Sequence, residues 1–251
     1  MQNIVITMAG RGSRFYAAGY KVPKYEIVAH DRSLFEWSMR SLKNFLSEES
    51  RIFFVCLAEN RSTDYVRAEC ARLGIEGVVE FLELNTITDG QATSAYVCRD
   101  AWEQEAPLLI YNIDTYVNPR ALRPTDIREG SQGWVPCFKA PGDHWSFVKL
   151  NDNGWAADVV EKQRISENAS VGLYWFAKAG DYVTAYQDYY ARPEHLVNGE
   201  RYVAPLYREL LRRGGKISIV DLPVEDVHVL GTPAELDVFI TKDKAILLSE
   251  G

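Results

Sequence analysis

The chain has 251 residues, 47% hydrophobic and 25% charged, which suffices to bury a substantial core in one large α/β domain or two small ones. A net charge of −7 excludes a general nucleic-acid binder, which needs a basic face, and no apolar run approaches the roughly 20 residues that span a bilayer. Met1–Gly10 lacks a basic leader and an apolar signal segment, and Cys56, Cys70, Cys98 and Cys137 are scattered without a CxxC pair, so reduced core cysteines in a cytoplasmic protein are expected.

The first half alternates strand and helix. Asn3–Met8 is a short, β-branched apolar run and predicts the first strand. Ser33-Leu34-Phe35-Glu36 fits a capping box, and Leu34, Trp37, Ser38, Ser41, Leu42 and Phe45 follow on one helical face. A strand over 51–57, a helix over 62–73, a strand over 78–84, a helix over 91–102 and a strand over 108–113 continue the alternation. Strands covered on both faces and separated by helices predict a mostly parallel sheet with right-handed crossovers. Beyond Asp114 short strands dominate, at 133–138, 147–150, 157–161 and 171–176. Helices near 179–190 and 200–213, a strand over 216–222 and a helix opening at Thr232-Pro233 complete the chain. The expected organisation is one domain in two lobes, 1–115 for a nucleotide and 116–251 for its acceptor, with a cleft between them.

Charge singles out the first segment. Residues 1–24 contain Arg11, Arg14, Lys21 and Lys24 and no Asp or Glu, so +4 of the net −7 lies here and the remainder carries −11. The first strand runs into Ala9-Gly10-Arg11-Gly12-Ser13-Arg14, a loop that an open parallel sheet places where ligands bind. The glycines permit a tight turn that brings N–H groups to an anion, the arginines supply charge-assisted contacts to phosphate oxygens, and Pro23-Lys24 adds a point charge. The GxxxxGK[ST] spacing of a Walker loop is absent, and Phe15 replaces the third glycine of a dinucleotide fingerprint.

Residues 4–15 (IVITMAGRGSRF) together with Pro23-Lys24 resemble the nucleotidyltransferases that make nucleoside-diphosphate sugars, and the related cytidylyltransferases. The resemblance implies a Rossmann-like three-layer α/β fold with a mostly parallel mixed central sheet, the glycosyltransferase-A-like architecture. It implies that Ala9, Gly10, Arg11, Gly12, Ser13 and Arg14 hold the triphosphate of a nucleoside triphosphate, and that Lys24 steadies its α-phosphate.

Later clusters extend the resemblance. Thr88-Asp89-Gly90-Gln91-Ala92 leads into a helix, and by resemblance Gly90 and Gln91 contact the base. Asn112-Ile113-Asp114 ends a buried strand, where an unpaired carboxylate is costly inside and better placed at the open edge beside Mg²⁺ (or Mn²⁺); the family has a metal-binding aspartate here. With Arg14 and Lys24, Asp114 completes the expected catalytic set. Glu161-Lys162 matches a pair that contacts the acceptor, and Gly172-Leu173-Tyr174 matches a G-x-Y segment beside it. Leu230-Gly231-Thr232-Pro233 matches a late block. Two residues before that glycine many members carry a second metal-binding aspartate; here Val229 stands there, leaving Asp226 or His228 to substitute or one carboxylate to suffice, with Asp226 preferred over His228 because oxygen suits Mg²⁺.

The expected reaction is attack by a phosphorylated small molecule, a sugar 1-phosphate or a non-sugar phosphate or phosphonate, on the α-phosphorus, releasing pyrophosphate. The product would be an activated precursor for polysaccharide, capsule or other cell-surface assembly. Rival readings are a metal-dependent glycosyltransferase and a non-catalytic nucleotide-binding protein, both separable by pyrophosphate release. His30, His144 and His195 show no ligand spacing, and Trp134, Trp145, Trp155 and Trp175 are expected to pack between lobes. Homo-oligomerisation is left open by the sequence.

Overall fold

In the computed structural model residues 1–75 and 77–249 are described, so residues 76, 250 and 251 of the two expected lobes lie outside it. β1 (Gln2–Thr7) buries Ile4, Val5 and Ile6 completely, the mark of a strand covered on both faces. The chain turns through the glycine loop into the short α1 (Ser13–Ala17), then a small hairpin of β2 (Val28–Ala29) and β3 (Arg32–Ser33), then α2 (Leu34–Ser41). The Ser33 hydroxyl caps α2 by accepting the Glu36 N–H at 3.1 Å. The reciprocal half of the expected capping box is replaced. Glu36 is buried and pairs with Arg32 at 3.0 Å, Arg40 at 3.6 Å and Arg72 at 2.6 Å, the compensation a buried carboxylate needs.

β4 (Ser50–Leu57), α3 (Thr63–Arg72), β5 (Val78–Leu84), α4 (Gln91–Tyr96) and β6 (Leu108–Asn112) complete the alternation. α4 is shorter than the predicted 91–102, because Tyr96-Val97-Cys98 is a run of weak helix formers and the chain tightens into a 3-10 turn at Arg99–Ala101. β7 (Thr115–Val117), β8 (Gly133–Lys139), β9 (Ser146–Leu150), β10 (Ala156–Glu161), β11 (Asn168–Ser170) and β12 (Leu173–Phe176) follow. Then come α5 (Ala179–Tyr189), α6 (Tyr207–Arg212), β13 (Ile217–Leu222), β14 (Val227–Val229), α7 (Pro233–Ile240) and α8 (Lys244–Ser249). α6 starts later than the predicted residue 200. Pro205 sits in a 3-10 turn, and the backbone of Arg201 is committed to another partner described below.

The large sheet has the order β10-β9-β11-β8-β12-β6-β1-β4-β5, with β13 beside β8. β1, β4, β5 and β6 run parallel, and β13 is parallel to β8; the extension from β12 to β10 is antiparallel. Two large clusters flank the sheet and make three layers. Val5 joins Ala92, Tyr182 and Leu210 on one side, while Ile4 and Ile6 join Phe35, Met39 and Val66 on the other. From β1 the chain steps outward to β4 and β5, then returns to the opposite side of β1 with β6. That reversal opens a crevice at the carboxyl ends of β1 and β6, where Thr7 lies in register with Asn112.

Candidate active site

A cavity of about 650 Å³ opens at that crevice. One wall is the loop after β1: Ala9, Gly10, Arg11, Gly12, Ser13 and Arg14 all line it. Gly12 adopts φ +62°, a left-handed conformation that lets the loop turn into α1 without a Cβ penalty. A 3-10 turn opening at Lys24 brings that lysine to the same wall, and its Nζ donates to Asp114 Oδ2 at 3.0 Å. Lys24 and Asp114 are only partly exposed, whereas Arg14 and Arg11, the latter 3.8 Å from Glu59, are exposed. The cations of the acid-free segment thus converge, with one exception: Lys21 does not line the cavity.

The loop between β5 and α4 forms the adjoining wall, and a second segment clasps it. Arg201 N–H donates to Asp89 C=O at 2.7 Å, Ala92 N–H donates to Arg201 C=O at 3.0 Å, and the Arg201 guanidinium meets the Asp89 carboxylate at 3.2 Å. The backbone of Gly90 passes so close to Arg201 that a Cβ there would lie 2.6 Å from the Arg201 nitrogen, at φ +139°. Gln91 turns its side-chain amide inward to Thr7 Oγ1, at 3.3 Å, and to Asn112 Oδ1. It braces the β1–β6 crevice, which occupies its side chain.

The far end of the cavity is built on the antiparallel extension. Glu161 closes β10 and accepts from the Ser146 hydroxyl on β9, which also lies 2.9 Å from the Tyr174 hydroxyl on β12. Burial drives the Glu161 carboxyl up to about 7, against the smaller opposing effects of Ser146 and Lys162. Lys162 adopts a left-handed φ of +53°; its Nζ donates to the Tyr202 hydroxyl, which donates to Glu200. Gly172, His144, Trp145, Glu200 and Tyr202 also face this end.

No protein-family model and no curated protein matches the chain. Among solved structures, a nucleoside-diphosphate-sugar pyrophosphorylase from Vibrio cholerae RC9 is 33% identical, with a TM-score of 0.87 over 95% of this chain and 100% of that one. The chain belongs to the nucleotidyltransferase family. An inositol-1-phosphate CTP transferase from T. maritima shares the fold, at 17% identity and a TM-score of 0.71 over 96% of this chain and 97% of that one. The nucleotidyltransferase joins a nucleoside triphosphate to a phosphorylated acceptor. Among the described residues, no helix is long and apolar enough to cross a membrane.

Within the nucleotidyltransferase, two expectations for the second metal ligand do not match the geometry. Asp226 lies at the far end of the β7–β14 ribbon from Asp114 and does not line the cavity; its carboxylate accepts from the Asn118 amide at 2.7 Å. His228 faces the opposite side, its ring stacked against Tyr116 at 5.5 Å and near Phe239. The carboxylate that does approach is Glu235. A Cβ built on Gly231 would lie 3.4 Å from both Asp114 Oδ2 and Glu235 Oε2. Two carboxylates with phosphate oxygens as further donors fit Mg²⁺ or Mn²⁺ in donor type. Glu235 also belongs to the first turn of α7, where its N–H donates to the Thr232 hydroxyl at 3.2 Å and its Oε2 accepts from that hydroxyl at 2.9 Å.

His144 is exposed and Trp145 packs edge-on against Phe138, and both also line the cavity, while Trp134 is fully buried. Ser146, Glu200 and Tyr202 carry no motif in the sequence. Only the sheet register and the Arg201 clasp bring them to Glu161. All four cysteines are free and buried.

Proposed function

We propose that the loop 9–14 cradles the triphosphate, with Arg11 and Arg14 on its oxygens and Lys24 at the α-phosphate, while Gly90 and the backbone of Gln91 meet the base. The observation that carries this reading is the 3.0 Å contact between Lys24 and Asp114 inside the cavity that Arg14 also lines. Residues 1–115 serve the nucleotide and 116–251 chiefly the acceptor, with Glu235 returning to the nucleotide side. Asp114 and Glu235 would hold Mg²⁺ or Mn²⁺, which would neutralise charge on phosphate oxygens.

An acceptor phosphate oxygen forms the new bond to the α-phosphorus, the α–β bridging bond breaks, and pyrophosphate leaves with that electron pair. A phosphate monoester is ionised at neutral pH, so no general base is needed; the chain contributes positioning and cations where charge accumulates. Lys162 and Gly172 flank the acceptor phosphate and Glu161 the remainder of the molecule. The product is an activated, nucleotide-linked precursor for polysaccharide, capsule or cell-surface assembly, made in the cytoplasm; the resemblance to a pyrophosphorylase of nucleoside-diphosphate sugars supports that class. Pyrophosphate release tests the assignment, with four nucleoside triphosphates screened against phosphorylated acceptors. Release that requires triphosphate, acceptor and divalent metal together is expected; release without acceptor, or none at all, rejects it.

A further inference from the structure

The two ends of the cavity carry opposite charge. At the triphosphate end the lining cations are Arg11, Arg14 and Lys24, facing Asp114 and Glu235. At the acceptor end the lining contains two carboxylates, Glu161 and Glu200, and neither lysine nor arginine. The nearby Lys162 lies 3.7 Å from Glu200 and does not form an ion pair with Glu161. Glu161 is therefore a largely desolvated carboxyl whose hydrogen-bond partner is the neutral Ser146 hydroxyl, beside the Tyr174 phenol. Burying such a group without a counter-ion in contact is unfavourable; Lys162 helps only from a distance, and burial outweighs it in raising the proton affinity of Glu161.

We infer that the acceptor is zwitterionic: a phosphate or phosphonate that also carries a primary ammonium group, which Glu161 receives. The inference rests on the reaction proposed above and names its acceptor class. A neutral polyol would leave Glu161 without a cation in contact, whereas an ammonium supplies an ion-pair partner for the carboxylate and a donor for Ser146. Three aromatic residues, Trp145, Tyr174 and Tyr202, line this end, a composition that suits such a group. One ammonium already lies there: Lys162 Nζ sits 4.5 Å from the centre of the Tyr202 ring. Once Lys162 turns to the acceptor phosphate, Glu200 also loses its cation, and the acceptor end becomes more negative still. The phosphate is drawn toward the basic loop and the ammonium toward Glu161, so charge alone orients the molecule for attack.

The test uses two matched pairs in the Mg²⁺-supplemented enzyme with the best triphosphate: O-phosphoethanolamine against 2-hydroxyethyl phosphate, and glucosamine 1-phosphate against glucose 1-phosphate. In at least one pair the amine is expected to exceed its hydroxyl partner in kcat/KM by about tenfold or more, the scale of a charged hydrogen bond. Which pair responds separates a sugar from a non-sugar source. Glu161→Gln should shrink that ratio. In the wild-type enzyme, calorimetry at pH 7 in buffers of different ionisation enthalpy should find protons released on binding the amine but not the hydroxyl compound. Hydroxyl acceptors turned over as well as or better than amines in both pairs would overturn the inference and leave the reaction standing. Absence of pyrophosphate with every acceptor and triphosphate would overturn the reaction itself.

Discussion

Lys24 and Asp114, 90 residues apart in the chain, meet at 3.0 Å where the loop after β1 faces the end of β6. Both are partly exposed to the cavity, so the pair contributes little to folding and its value lies in what the triphosphate and metal exchange for it. Lys24→Ala and Asp114→Asn should each lower kcat by about 10²–10³, the loss typical of one well-placed electrostatic group. Melting temperatures should stay within a few degrees of wild type. Steady-state pyrophosphate release and thermal melts check both points; near-normal turnover in the two variants would remove these residues from the catalytic set.

Glu235 and Asp226 make a second, contrasting pair. Glu235→Gln keeps the side-chain length and the capping geometry at Thr232 but removes the charge beside Asp114. The Mg²⁺ concentration for half-maximal rate should rise by at least about tenfold, the lower bound seen even for groups that act on a metal indirectly. Asp226→Asn should leave it unchanged, because that carboxylate lies outside the cavity, at the far end of the β7–β14 ribbon from Asp114. Direct Mn²⁺ titration followed by electron paramagnetic resonance reads the affinity without turnover. The reverse ranking of the two variants would restore Asp226 as the ligand.

Gly90 ties the nucleotide wall to the acceptor wall through Arg201. An alanine there places its methyl against the Arg201 backbone, which cannot swing aside as a side chain would, and forces a left-handed φ on a residue with a Cβ. Gly90→Ala should cost about 1–3 kcal/mol in stability and raise KM for both substrates, since Glu200 and Tyr202 flank the displaced segment. Denaturant melts and two-substrate kinetics would detect this. A variant of unchanged stability and KM would show that the clasp yields without cost.

The sequence made the parallel half and its phosphate loop readable because both are local. β-branched runs, glycines at fixed offsets and a segment free of acids need no long-range partner to be recognised. Asp114 was equally legible, as a carboxylate ending an apolar strand. The short ribbon of β7 and β14 and the strand β11 went unseen because two- and three-residue pairings leave no periodicity. Glu235 was hidden by its second role as a helix cap, and Tyr202 and Glu200 by lying in a stretch read as helix. Their placement follows from Pro205 and from the backbone of Arg201, which only the folded loop 89–92 engages.

Two buried titratable groups shape stability in opposite directions. Burial carries Glu161 from its ordinary 4.5 up to about 7, so the fold retains a proton there that the unfolded chain has already shed. This contribution is fully present below pH 4.5 and is lost as pH rises through 7. His228 is held down from 6.5 to about 4, mainly by burial, with Lys242 adding to the effect. Its contribution is present above pH 6.5 and is lost as pH falls through 4. His228→Phe keeps an aromatic ring against Tyr116 and removes a buried Nε2 that has no hydrogen-bond partner among the described residues. Relative to wild type, the melting temperature of the ligand-free enzyme should therefore fall less as pH rises from about 4.5 to 7 in Glu161→Gln, and fall less as pH drops from about 6.5 to 4 in His228→Phe. Melts at intervals from pH 4 to 8.5 would reveal the two limbs. If Glu161→Gln left the neutral limb unchanged, Glu161 would not be the group that sheds its proton there, and the case for a carboxyl awaiting a cation would lose its thermodynamic support.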